Sequence, residues 1–432
     1  MRVGRTVAAL LVAAAVAGCA SGPTARPAAQ VLRVTATAAP PAPAAGELAA
    51  TAAGTDAFGV ALYRQLTAQG GQQDLVLSPS GLATALAMLL PGARGTTAQE
   101  LATVLHTSLP PERYAVAMGA LDRAAQPAGA GRTPTLVLRE ADSVWTQQGY
   151  PVQPGYLQTL AQAFDTGLRT ADFAKDPDGA RKAVNALVEQ QTDGQIKDLF
   201  GPGAVDASTL LALTDALYLK AQWQHPFEQA ATTDRPFHLL DGSTPQVATM
   251  AQTATFRYAE GSAGAPWQAV ELPYAGGDLA MDLIVPAQGG LDAFRSGLDA
   301  AELDRILGGL SDASVDLTLP RFGFETGDSL VPALTALGLR SAFGPGADLS
   351  GIPTPGTTPQ PRVGAVVQKA RISVDEAGTT AAAGSGVAVG TTAVRPPARS
   401  AQLHIDRPFL FLIRDTATGQ PLFLGQVTDP RQ

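Results

Sequence analysis

The chain has 432 residues and a formal net charge of −8, and its few Lys and Arg are not clustered, which argues against nucleic acid as a partner. One cysteine, Cys19, excludes an intramolecular disulfide, so the fold must be stable without one. Four histidines without metal-ligand spacing give no sign of a metal centre, and no cofactor is expected.

Residues 1–18 carry Arg2 and Arg5 and then the apolar run TVAALLVAAAVAG, too short to span a bilayer, which reads as an export signal. The run ends in VAGC, which resembles a bacterial lipobox. Cys19 is therefore the expected site of lipidation, anchoring the protein to the outer face of the cytoplasmic membrane. From 19 to 52, Ala, Pro and Thr dominate, with TAAPPAPAAG in the middle, and a disordered tether is predicted. The remainder, 53–432, shows neither an internal repeat nor a composition break that would divide it.

Within that part, DAFGVALYRQLTAQ (56–69) sets Phe58, Leu62 and Leu66 on one helical face and stops at Gly70 and Gly71. DLVLSPS is a short strand turned by Pro79 into a buried helix, GLATALAMLL. Strands are predicted at 135–147, 210–223 and 268–286, the last with a Gly-Gly hairpin turn. PFLFLIRD and PLFLGQV add two more around the turn TATGQ. Helices come mostly early and strands mostly late without alternation, which makes the fold α+β rather than doubly wound.

Catalytic signatures are missing: no GxSxG, SxxK or HExxH occurs. GDSL at 327–330 offers Ser329 but has no DxxH partner downstream. Asp328 or Ser329 as the N-cap of the helix LVPALTALGL is the simpler reading. His106, His225, His238 and His404 read as core or surface residues. No enzyme is expected.

The stretch DEAGTTAAAGSGVAV (375–389) is harder to place. It has too many glycines and β-branched residues for a helix, yet it is too apolar and unbroken for a flexible linker. Its neighbours explain it. DLVLSPSGLATALAMLLPGARGTTAQEL (74–101), VEQQTDGQIKDLF (188–200), LTDALYLKAQWQHPF (213–227), VDLTLPRFGFETGDSLVPALTALGL, ADLSGI, VDEAGTTAAAG (374–384) and IDRPFLFLIRDTATGQPLFLGQVTDP (405–430) follow one another in the order of the serpin family. Over nearly the whole folded part, the chain resembles that family.

The resemblance implies three β-sheets, eight or nine helices and an exposed reactive-centre loop at about 376–404. It implies a monomer that inhibits a serine protease as a suicide substrate. The protease cuts the loop and forms an acyl-enzyme; the freed hinge then enters the main sheet as a new strand and drags the protease with it. The hinge maps to Glu376, Gly378, Thr379, Thr380, Ala381, Ala382 and Ala383, whose small side chains suit entry between paired strands. Thr379 to Thr392 would span about 45 Å as a strand. Counted from Glu376 at the family's usual spacing, the scissile bond is Thr392–Ala393, which suits an elastase- or subtilisin-like protease. Val394 and Arg399 are rivals, and Arg395 is a poor bait for trypsin because Pro396 follows it. TTAQELATVLHTSLPPERYAVAMGALDR carries only Arg113 and Arg123, so polyanion activation is not expected.

The sequence also departs from the family. Asp215 and Gln368 stand where an asparagine and a histidine usually control sheet opening, and a carboxylate can accept from an amide there. Gly81 replaces a serine, while Ser78 remains. Trp223 matches the tryptophan where insertion begins. A non-inhibitory binding protein on the same fold is the alternative, but the hinge lacks the bulky, charged or proline residues expected of one.

Overall fold

The computed structural model describes residues 30–35, 40, 42–44, 46–68, 72–126, 136–261, 266–379 and 399–431. Among these, nine α-helices and seventeen strands form an α+β fold. The main sheet has eight strands. It runs Gln30–Leu32, Leu168–Ala171, Ser143–Gln147, Leu211–Gln222, Gly378–Thr379, Val363–Val374, Phe322–Ser329, and Leu136–Glu140 also pairs with Leu211–Gln222. The other strands form a second, nine-stranded sheet. The three expected sheets thus appear as two hydrogen-bonded networks. Gln246–Gly261, long enough to pair with Ser311–Pro320, Trp267–Pro273 and Thr233–Pro236 along its length, joins what would otherwise be separate.

One apolar core lies between the two sheets, with Leu217, Leu219, Tyr274, Met281, Phe409 and Phe411. Another gathers the early helices, including Phe58, Leu62, Leu82 and Leu86. The helix Pro79–Leu89, wholly buried, passes from this second core beneath the middle of the main sheet.

Three expectations shift. The first helix begins at Glu47, not 56, because Thr51, Ala52, Gly54 and Thr55 are buried and Glu47 pairs with Arg113. The predicted disordered tether is interrupted as well: Gln30–Leu32 pair antiparallel with Leu168–Ala171. Val31 and Leu32, two β-formers in an Ala- and Pro-rich stretch, were outweighed by its composition. Ser329 is the last residue of a strand, and the helix Val331–Ala336 starts from Leu330 with no side-chain cap, so neither Asp328 nor Ser329 is its N-cap. The Asp328 carboxylate instead accepts from the Ser329 N–H at 2.6 Å. The Gly276–Gly277 hairpin turn is as predicted, both residues adopting positive φ.

Candidate functional site

The strands Leu211–Gln222 and Val363–Val374 run parallel and form a seam. They pair directly from Leu211 and Val363 up to Tyr218 and Arg371. Above that point they part, and Gly378–Thr379 lies between them, antiparallel to both. Thr379 faces Ala221 on one side and Val374 on the other. Two residues of the segment expected to be the hinge, Gly378 and Thr379, thus lie within the sheet. Thr379 is buried, 1% exposed, with its hydroxyl 2.5 Å from that of Tyr274.

Glycine is required at 378 by close approach: a Cβ there would lie 1.9 Å from the Ala221 carbonyl oxygen. Trp223 fastens the turn ahead of it. Its backbone N–H donates to the Ala377 carbonyl at 2.9 Å and its indole N–H to the Asp375 carbonyl at 3.0 Å. Its ring stacks on Tyr274 with centroids 4.6 Å apart. The Asp375 carboxylate closes the turn by accepting from the N–H groups of Ala377 and Gly378.

Glu376 is buried but paired. Its carboxylate accepts from the Arg321 guanidinium and the Thr232 hydroxyl. Burial alone would push this carboxyl up; the two donors outweigh it and hold the pKa below the usual glutamate value. Arg321, Thr232 and Tyr274 escape a sequence reading, because each meets the hinge only through tertiary packing. A lone arginine in LPRFGF carries no local signal.

Lower on the seam, Asp215 stands opposite Gln368. The Gln368 amide donates to the Asp215 carboxylate and, at 2.8 Å, to the Ser78 carbonyl, while its oxygen accepts from the Ser78 N–H at 3.1 Å. Ser78 caps the helix Pro79–Leu89, its Oγ accepting from the Gly81 N–H at 3.1 Å. The two departures from the family thus bond to each other. Gly81 belongs with them: a Cβ at that position would lie 2.3 Å from Asp215 Oδ1, so the helix must be bare where the carboxylate sits.

Arg399, a rival for the scissile bond, is held against the second sheet. It donates to Glu260 at 2.9 Å and lies over the Tyr258 ring, and its carbonyl accepts from the Ser314 N–H. Thr380, Ala381, Ala382, Ala383, Thr392, Ala393, Val394 and Cys19 fall outside the described residues. Among the described residues no group of His, Cys, Asp and Glu could hold a metal, and no helix is long and apolar enough to cross a membrane.

Fold and site together define an α+β protein whose main sheet holds the start of a strand supplied by its own loop. A family model described as serpin (serine protease inhibitor) matches residues 53–430. Plasminogen activator inhibitor 1 of Sus scrofa is 34% identical over 380 residues, covering 86% of this chain and 91% of that protein. Ipis-1 of Ixodes persulcatus is 33% identical, covering 86% and 97%. An uncharacterised serpin-like protein of Thermococcus kodakarensis is 34% identical, covering 87% and 85%. Among solved structures, native protease nexin-1 with heparin superposes with a TM-score of 0.76 at 26% identity, covering 89% of this chain and all of that one. Uncleaved ovalbumin superposes with a TM-score of 0.76 at 24% identity, covering 88% and 100%, a likeness of fold. The chain belongs to the serpin family.

Proposed function

We propose that the protein inhibits a serine protease of elastase or subtilisin type by loop cleavage, acyl-enzyme trapping and insertion of the cleaved loop into the main sheet. The observation that carries this reading is the position of Gly378–Thr379 between the two seam strands. With Thr379 opposite Ala221, continuation of the same antiparallel register would set residues 380–389 opposite Lys220 back to Leu211. Those ten residues are TAAAGSGVAV, the largest of them valine. A strand of that composition can replace direct pairing between its neighbours without steric resistance.

Thr392–Ala393 remains the proposed scissile bond. The contacts that tie Arg399 to Glu260 and Tyr258 leave it poorly disposed to enter a protease pocket. The binding-module alternative draws on likeness to thyroxine-binding globulin, TM-score 0.77 at 23% identity, which speaks for the fold and not for a ligand. Mixing with elastase and with trypsin, followed by denaturing electrophoresis, tests the choice. A covalent complex with elastase is expected, together with a released peptide that begins at Ala393. Cleavage without a complex would favour the non-inhibitory reading.

The proposal extends to location: lipidated Cys19 holds the inhibitor on the outside of a bacterial cell. Cys19→Ala should move the protein from the membrane fraction to the medium with inhibition unchanged, and retention of the variant in the membrane would refute the anchor.

A further inference from the structure

The hydrogen bond at the middle of the seam leads to a second carboxylate. Leu136–Glu140 and Ser143–Gln147 keep a single register on the Leu211 strand: Glu140 faces Leu217, Ser143 faces Thr214, and between them the Ala141 N–H donates to the Ala216 carbonyl at 2.9 Å. Asp142 therefore stands directly opposite Asp215, just as Asp215 stands opposite Gln368. Side chains so placed share a face about 4.5–5.5 Å apart at Cβ, where like charges repel.

Asp215 is 1% exposed. Its Oδ2 takes the Gln368 amide, but its Oδ1 and the Oδ1 of Asp142 are both sealed from solvent without a hydrogen-bond donor. A buried carboxylate oxygen left this way is destabilising. One proton answers for both residues, since the O–H of one carboxyl can donate to the other.

We propose that Asp142 and Asp215 share one proton in the native protein and that this proton latches the seam, so that its loss at higher pH sets two like charges across the sheet beside Gln368.

The surroundings favour holding that proton. A cleft lined by Thr84, Asp122, Glu140, Asp142, Asp165 and Arg169 reaches Asp142 from the side away from Gln368, and Asp215 does not line it. The helix Pro111–Ala125 brings Asp122, which accepts from Thr84 and Gln420, and Arg123, which donates to the Ala163 carbonyl. Glu140 accepts from Gln126, and its neighbour Arg139 is paired with Asp193. Arg169 donates to Ser143 Oγ at 2.8 Å, and Asp165 pairs with Arg33. The helix Pro79–Leu89 contributes no charged residue, and beyond Gln368 the next in the row is Asp328. Acids outnumber bases around the pair, and each arginine is engaged elsewhere.

Burial, reinforced by neighbouring carboxylates, pushes Asp142 well above its usual value and Glu140 to about 8. Burial likewise raises Asp122 to about 7 and Asp215 to about 6, against the hydrogen bonds that each accepts. A carboxyl whose pKa is higher in the folded than in the unfolded chain stabilises the fold at low pH. That contribution is lost as pH rises through the folded value. Asp215, raised to about 6, ionises first and leaves the shared proton on Asp142, so that proton is lost only as pH rises through the still higher value of Asp142.

The shared proton follows from the sheet register; only its bearing on strand insertion rests on the inhibitory function proposed above. The test accordingly uses intact protein and no protease. Thermal melts of wild type, Asp142→Asn and Glu140→Gln at one scan rate are compared from about pH 5 to about pH 9. Asparagine at 142 replaces the shared proton with a permanent N–H donor. The wild-type midpoint should fall by about 2–5 °C as pH rises over this range, Asp142→Asn should fall by distinctly less because only the neighbouring raised carboxyls still titrate, and Glu140→Gln should fall more than Asp142→Asn. If Asp142→Asn does not fold, Asp215→Asn takes its place with the same expectation. Infrared difference spectra of protein labelled with 13C at aspartate should also show a protonated-carboxyl stretch that disappears on titration to alkaline pH and is weaker in Asp142→Asn than in the wild type. A flat wild-type profile, a variant at 142 that tracks the wild type, or no such band would overturn the proposal.

Discussion

The two halves of the seam are held by different chemistry. Near Ala221 and Val374 the strands are parted by a glycine and a threonine, with Tyr274 and Trp223 stacked alongside and the charged Asp375 and Glu376 confined to the turn ahead of them. Around Asp215 and Gln368 they pair directly, and the contact is a charge-assisted hydrogen bond continued through Gln368 to the backbone of Ser78. Extending the inserted strand at the upper end exchanges one set of backbone pairs for another beside small or aromatic side chains. In the middle it must first break a bond to a buried carboxylate, roughly twice as strong as a neutral one. Under the proposed mechanism, this contrast puts resistance to opening at the polar contact and readiness to open at the hinge.

The largest way to break that contrast is to spoil the hinge. Thr379→Arg would force a long cation against Tyr274 and the core between the sheets, at a cost of several kcal/mol if buried unpaired. The variant relieves this only by leaving the sheet. Insertion should then slow by orders of magnitude, about tenfold for each ~1.4 kcal/mol added to its barrier. Deacylation in the protease's own site is untouched, so the variant should be cut at the same bond and released without a covalent complex on denaturing gels.

A middle-sized effect is expected at the ion pair that anchors the hinge. Arg321→Ala leaves the Glu376 carboxylate buried with one donor fewer and should cost about 1–3 kcal/mol, the Arg321 side chain being partly exposed. Glu376 has a lowered pKa, so its contribution is present at neutral pH and lost as pH falls through that lowered value. Melting curves of wild type and Arg321→Ala should accordingly converge in acid. A constant gap down to low pH would mean that the pair does not hold the hinge.

Gly81→Ala sharpens the other half. The added methyl meets Asp215 Oδ1 and should cost about 1–3 kcal/mol as an overpacked site. The loss should be readable as a lower unfolding midpoint with the protein still able to trap protease.

Much of this was legible in the sequence. The run of small residues after Glu376, the Asp215–Gln368 substitution and Trp223 all announce themselves as residue types in a recognisable order. What stayed hidden depends on which strands meet. The entry of Gly378–Thr379 is a pairing between segments more than 150 positions apart. The opposition of Asp142 and Asp215 follows from a register across two strands that share no motif. The tether was misread at Gln30–Leu32 for a related reason: a short edge strand owes its order to its partner, Leu168–Ala171, and little to its own composition. Ser329 shows the converse, where a plausible local signal for a helix cap was overridden because Gln368 and Val367 claim Asp328 and Ser329 as strand partners.

The most direct measurement is the heat stability of the protein before and after a single cut in the loop by a protease that it does not trap. If the strand begun at Gly378–Thr379 completes itself along Leu211–Gln222, the cut protein should withstand far higher temperatures than the intact one, and Thr379→Arg should lose most of that gain. Equal stability before and after the cut would contradict insertion into the seam.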